Sequence, residues 1–188
     1  MGRPRNDSTD ISATERIEKA FWELLENGDY SSITIQQITK KTGLNRNTIY
    51  YHYENVDDIA HKSFCHAISE SNVNEFISFL LYERDFANEN TDPLSNTRKI
   101  HLMAKSDSPF LHKLVKDAMI EAWMKAFGID KSALEEMDWV NLDFISAGII
   151  ALISNEQLLR NSNIVCAFPK SLLGQTIIQI LKKMPKLD

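Results

Sequence analysis

Residues 34 to 53 read TIQQITKKTGLNRNTIYYHY, and this stretch decides the fold. Two short segments flank Gly43. In the first, the Thr34 hydroxyl can cap a helix, with Gln37 at the reciprocal capping-box position. In the second, Asn45 caps a helix of about seven residues, Arg46 to His52. Gly43 supplies the positive φ of a sharp corner, the apolar Leu44 closes it, and the small Thr39 lies where the two helices approach. Ile35, Ile38, Leu44 and Ile49 can pack the pair against a preceding helix. The spacing predicts a helix-turn-helix. Three of the chain's five tyrosines crowd into its end, and Tyr50, Tyr51 and Tyr53 cannot all be buried on one helix face. A surface built to lie against something explains that crowding better than a core does.

The charge pattern says what that something is. The chain of 188 residues carries a net charge of −5, yet no Asp or Glu lies between Tyr30 and Tyr53. Lys40, Lys41 and Arg46 sit inside that window, and Arg3 and Arg5 add cations near the first residue. Local positive charge on an acidic protein is what phosphate contact requires. The second helix of such a unit places its first turn against base edges in the major groove. Arg46, Asn47 and Thr48 occupy that turn, and Arg and Asn can read guanine and adenine bidentately. The hydroxyls of Thr34, Tyr50 and Tyr51 suit phosphate oxygens, which position without specifying. Asn45, which caps the helix, joins the DNA-facing group.

Outward from this stretch the pattern stays helical. Glycine (six) and proline (five) are scarce, and apolar residues recur at the 3.6 period, so the chain reads as all-α with about nine helices. A first helix is expected from Ser12 to Asn27, with a Ser12/Glu15 capping box and Gly28 as its stop. A long fourth helix is expected over residues 56–86, with Ile59, Phe64, Ile68, Ile77, Leu80 and Leu81 inward. Further helices are expected at Leu94 to Lys105, Pro109 to Phe127, Trp139 to Arg160 and Pro169 to Lys183. A short turn or helix spans Lys131 to Met137. The organisation expected is a helix-turn-helix domain at 1–60 and a larger helical regulatory and dimerisation domain at 61–188.

Residues 12 to 60 resemble the N-terminal domain of the tetracycline-repressor (TetR) family of transcriptional regulators. The likeness is carried by Ile17, Ala20 and Phe21, by GDYSSITIQQITKKTGLNRNTIYYHYENVDDI, and by the helix lengths. The opening GRPR is similar to the basic arms of many members. The resemblance makes Thr34 and Tyr50 phosphate contacts, makes Arg46, Asn47 and Tyr51 base or backbone contacts, and sets His52 near the backbone. Tyr53 matches the aromatic packed beneath the recognition helix. The chain departs from the family at Val56, where a lysine is usual, and Asp57 and Asp58 follow.

The last two thirds resembles the family in architecture alone. FISAGIIALI, residues 144–153, is apolar almost all round and needs cover on more than one side. Phe144, Ala147, Gly148 and Ala151, with Leu173, Ile177, Ile180 and Met184 on the last helix, are expected to form a four-helix bundle with a second copy. Such a homodimer would present two recognition helices to a palindrome with half-sites roughly 34–36 Å apart. Phe110, Met119, Trp123, Phe127, Trp139 and Phe144 are candidates to line a pocket for a small-molecule effector, as the architecture implies. The function expected is a homodimeric repressor released from double-stranded DNA by that effector. The alternative is a co-activator or regulator of the same type acting through a protein partner with weak DNA binding, for which Val56, Asp57 and Asp58 speak.

Other classes find little support. His61 and Cys65 are four apart on one helix, but two ligands do not make a metal site. No nucleophile–base–orienter set and no glycine-rich phosphate loop is visible, so neither an enzyme nor a cofactor is expected. Two cysteines, no run of about 18 apolar residues and no signal-peptide core point to a cytoplasmic protein with no membrane span.

Overall fold

The computed structural model describes residues 12–69, 94–159 and 167–187. The chain divides into two compact units, with the boundary between Ser63 and Phe64. Among the described residues all regular elements are helical.

The first unit opens with α1 (Ala13–Asn27), where both halves of the Ser12/Glu15 capping box form. Its buried residues Ile17, Ala20, Phe21 and Leu25 make one stripe at helical spacing. Gly28 ends it in extended backbone (φ −166°) rather than in the left-handed form of a glycine cap. A 3-10 turn at Tyr30–Ser32 leads to α2 (Ile35–Thr42), where Thr34 and Gln37 again form both halves of a capping box. Gly43 has φ +69°, and its N–H donates to the Thr39 carbonyl at 2.9 Å. That conformation is strained for any residue with a Cβ. The corner releases the chain into α3 (Arg46–His52), whose cap is the Asn45 side chain accepting from the Asn47 N–H at 3.0 Å. The fourth helix, α4, is described over Val56–Ser69. Ile17, Phe21, Ile38, Ile49 and Ile59 are completely buried and pin the helices to one core. Each such side chain contributes roughly 1.5–3 kcal/mol by leaving water. The expected continuation of α4 to Phe86, with Ile77, Leu80 and Leu81, lies outside the described residues.

The second unit contains α5 (Leu94–Lys105), α6 (Pro109–Phe127), α7 (Glu136–Ser154), the one-turn α8 (Glu156–Leu159) and α9 (Leu172–Lys183). Ser108 caps α6, with Pro109 at its first position, and Gly128 (φ +60°) closes it in the left-handed form. α7 packs on α5 and α6. Two histidines stitch helix ends: His101 Nδ1 lies 2.8 Å from the Ile153 carbonyl, and His112 Nε2 lies 2.9 Å from the Ala104 carbonyl. These carbonyls belong to last turns, which have no partners within their own helix.

Three boundaries differ from the sequence expectation. α7 begins at Glu136, one turn early, because the Asp138 carboxylate accepts from the Glu135 N–H at 3.0 Å and closes a capping turn. It ends at Ser154, so its expected run to Arg160 is broken at Asn155. Pro169 does not open the final helix. It sits in a 3-10 turn, Phe168–Lys170, and Ser171 caps α9 by accepting from the Gly174 N–H at 3.1 Å. Beyond α9 the chain pairs with the segment after α6. The Asp130 N–H donates to the Pro185 carbonyl at 3.0 Å, and the Leu187 N–H to the Gly128 carbonyl at 2.9 Å.

Candidate nucleic-acid interface

α3 lies with Ile49 inward and its polar side chains outward. Arg46 and Asn47 are exposed, Tyr50 is 54% exposed and Tyr51 84%. Thr48 and His52 are half-buried, and the Tyr51 ring stands edge-on to the His52 ring at 4.9 Å. An aromatic as open to water as Tyr51 contributes little to a core. Tyr53, by contrast, is buried, and its hydroxyl donates to the Glu18 carboxylate of α1 at 2.8 Å. Burial first, and then that carboxylate, push the Tyr53 phenol well above its ordinary range.

The neighbouring candidates differ in what already occupies them. Thr34 is exposed, but its hydroxyl is committed to Gln37, accepting from the Gln37 N–H at 3.2 Å. Lys40 is exposed, whereas Lys41 Nζ is 2.9 Å from the Glu23 carboxylate. The Lys41 hydrogen bond holds the Glu23 carboxyl below the usual carboxylate range. Arg3 and Arg5 lie outside the described residues.

The acid pair of α4 is tied down within the unit. Asp57 accepts from the Tyr30 hydroxyl. Asp58 accepts from Lys62 Nζ at 2.9 Å and from the Glu54 N–H at 3.0 Å. Burial by itself raises the Asp58 pKa, but the Lys62 and Glu54 hydrogen bonds and the nearby positive charge leave it lowered. Two cations also reach the ends of the helix pair. Arg16 of α1 donates to the Thr42 carbonyl at the end of α2, and Lys62 Nζ donates at 3.0 Å to the His52 carbonyl at the end of α3. Neither contact is visible in a motif, because both come from long side chains outside the helix-turn-helix.

These carboxylates set an acid limit. A carboxyl whose folded pKa is depressed binds a proton less readily in the folded than in the unfolded chain. Its contribution is therefore present above about pH 4 and is lost as the pH falls through the depressed value. Urea midpoints followed by circular dichroism should be level from about pH 7 to 5 and fall below about pH 4. Asp58→Asn should blunt that fall. A wild-type midpoint unchanged at pH 3 would contradict the assignment.

In the second unit the pocket candidates differ in exposure. Met119, Trp123 and Phe127 are buried on α6, and Phe110 is half-buried. Trp139 is 36% and Phe144 80% exposed, because Leu142, Ile145, Ser146, Ile149, Ile150 and Ile153 take the inward face of α7. The indole Nε1 of Trp123 is buried and has no hydrogen-bond partner among the described residues. The expected interface set also divides. Phe144, Ala147, Gly148, Ala151 and Leu173 are exposed and Ile180 is intermediate. Ile177 and Met184 are buried within the chain, at 5% and 3% exposure. Three further apolar residues join it: Val140 on α7, four residues before Phe144, with Met137 and, on α9, Leu172. α7 is long and apolar enough to cross a membrane by length and composition (19 residues, mean hydropathy 1.4), and 28% of that window is buried. Among the described residues no three His, Cys, Asp or Glu side chains come together to hold a metal ion.

A comparison with protein-family models finds no match. Over 50 residues, 26% of this chain, the sequence is 40% identical to the HTH-type transcriptional regulator YxbF of Bacillus subtilis (strain 168), and the match spans 13% of that protein. Among solved structures, the TetR family repressor AlkX of Dietzia sp. strain DQ12-45-1b aligns over 94% of this chain and 99% of its own, at a TM-score of 0.45 and 17% identity. The chain thus spans only a small part of the helix-turn-helix-type regulator that it matches in sequence.

Proposed function

We propose that the chain is a TetR-type, DNA-binding transcriptional regulator that acts as a homodimer. The observation that carries this reading is the outward face of α3. Arg46, Asn47, Tyr50 and Tyr51 all stand exposed there, on a helix held from behind by Ile49 and Tyr53, with no acid between Tyr30 and Tyr53. Arg46 and Asn47 read base edges, while Tyr50, Tyr51, Thr34 and Lys40 meet the phosphates. Asn45, Thr48 and His52 shape the same surface. Lys41 contributes less than Lys40, since Glu23 already holds it. Asp57 and Asp58 are engaged inside the unit, which supports direct DNA binding over action through a protein partner.

The homodimer rests on the outer face of α7. Met137, Val140, Phe144, Ala147, Gly148, Ala151 and Leu152 are exposed on a helix whose other face is already buried. Gly148 has open space where a Cβ would be, so a second helix can approach closely. A bilayer is the poorer occupant. The same helix packs its inner face on α5 and α6, and its exposed Asp143 is paired with Lys116 at 3.1 Å. Charge at membrane depth is costly. A small-molecule effector would act through α6, where the Trp123 indole donor is unpartnered, and would release a repressor from a palindromic operator.

The test is fluorescence anisotropy with labelled duplexes from the region upstream of the protein's own gene, at stated salt. Saturable, salt-sensitive binding that a shuffled duplex does not share is the expected result; salt-insensitive or absent binding overturns the reading. Arg46→Ala should cost roughly 1–3 kcal/mol on the preferred duplex and little on the shuffled one. Unchanged affinity and preference would remove α3 as the reading helix.

A further inference from the structure

We infer that Lys62 is a positioning residue for DNA recognition: its ammonium fixes the C-terminal end of α3 against the first turn of α4 and makes no phosphate contact of its own. The inference rests on the DNA-binding reading above. Three observations carry it. Lys62 Nζ donates to the His52 carbonyl at 3.0 Å and to Asp58 Oδ2 at 2.9 Å, so one charge joins the last residue of α3 to α4. Asp58 passes the hold to the connection, accepting from the Glu54 N–H at 3.0 Å while its own N–H donates to the Asn55 side chain at 2.9 Å. Lys62 Nζ also lies 5.2 Å from the centre of the Tyr53 ring, on the buried residue that ends α3.

The physics favours this arrangement. A seven-residue helix has few internal hydrogen bonds to define its axis, so its ends decide where it points. The last carbonyls carry partial negative charge, and a cation there is favourable. At the other end, Arg16 treats α2 in the same way through Thr42. The base-reading side chains sit in the first turn of α3, so a small tilt about its last turn moves Arg46 and Asn47 most. Recognition geometry tolerates only about 0.5 Å of error. Two of the three ammonium N–H donors of Lys62 are taken, and the Asp58 carboxylate offsets its charge.

The test uses the full-length protein, Lys62→Met and Lys62→Arg. Methionine keeps the apolar stem over Tyr53 and removes the charge; arginine can donate to both acceptors. The first readout needs no DNA: hydrogen exchange of the amides from Tyr50 to Tyr53 should be roughly threefold to tenfold faster in Lys62→Met, near wild type in Lys62→Arg, and unchanged in α1. The second is anisotropy against the upstream duplex over a salt series. Lys62→Met should bind roughly tenfold more weakly with the salt slope unchanged, and Lys62→Arg should recover most of the loss. A slope reduced by about 0.9 makes Lys62 a phosphate contact and overturns the inference. So do unchanged exchange and unchanged affinity. If exchange responds but the wild type binds no DNA, the functional reading fails and the anchor of α3 stands as a purely structural one.

Discussion

Phe144→Asp should give a monomer that has lost most of its affinity for a two-half-site duplex. Phe144 is 80% exposed and contributes almost nothing to the core of its own unit, so the variant should fold. In a dimer built on α7 the same side chain lies at the middle of the covered face, between Val140 and Gly148 on adjacent turns. A carboxylate there would be removed from water among the apolar side chains of the stripe, a cost of several kcal/mol. Sedimentation or light scattering should read twice 21.5 kDa for the wild type and 21.5 kDa for the variant. Losing the link between two reading helices should weaken binding by roughly 10²–10⁴, while a single half-site duplex is bound as before. A dimeric Phe144→Asp at micromolar concentration would move the interface elsewhere.

The second large effect should come from Gly174→Ala. Alanine in a helix ordinarily gains up to about 1 kcal/mol over glycine. Here the Cβ would collide with the Phe168 carbonyl oxygen and stand 2.9 Å from Pro169 Cα. Both are backbone atoms and cannot swing aside, so the helix start must move off the 3-10 turn. That movement also strains the Ser171 cap, whose acceptor bonds the Gly174 N–H. Overpacking of this kind costs about 1–3 kcal/mol and outweighs the helix-forming gain. Thermal unfolding should shift down by roughly 2–4 °C for each kcal/mol lost. A variant as stable as the wild type would mean that α9 can move off the turn without cost. Gly148→Ala is the contrast for the chain's own packing, since among the described residues no atom stands within 4 Å of its Cβ position.

The helix-turn-helix was readable because its signals are local. Thr34 with Gln37, Gly43 and Asn45 are caps and corners whose chemistry acts within four residues, and each forms as its spacing implies. The stop of α6 at Gly128 is of the same kind. What sequence did not disclose depends on distant partners or on phase. Lys62 and Arg16 read as ordinary surface cations until the fold brings them to carbonyls ten and 26 residues away. Phe144 and Trp139 looked like pocket residues because α7 is apolar on every side, and a helix without a polar face does not announce which side turns inward. Ile177 and Met184 keep the period of the expected seam, yet both are buried within the chain, and period alone does not say which neighbour covers a helix. Pro169 stood at the expected start of the last helix, two residues ahead of the Ser171 that caps it.

The pairing of Gly128–Asp130 with Pro185–Leu187 has a mechanical meaning. Both of its hydrogen bonds run between main-chain atoms, so its stiffness does not depend on which side chains the two segments carry. It closes the chain from α6 to α9 into a ring, with the far ends of both helices bolted to one another. A displacement of the C-terminal end of α6 would therefore pull on the end of α9 through the backbone. Side-chain packing alone would absorb part of such a displacement; a closed linkage passes it on.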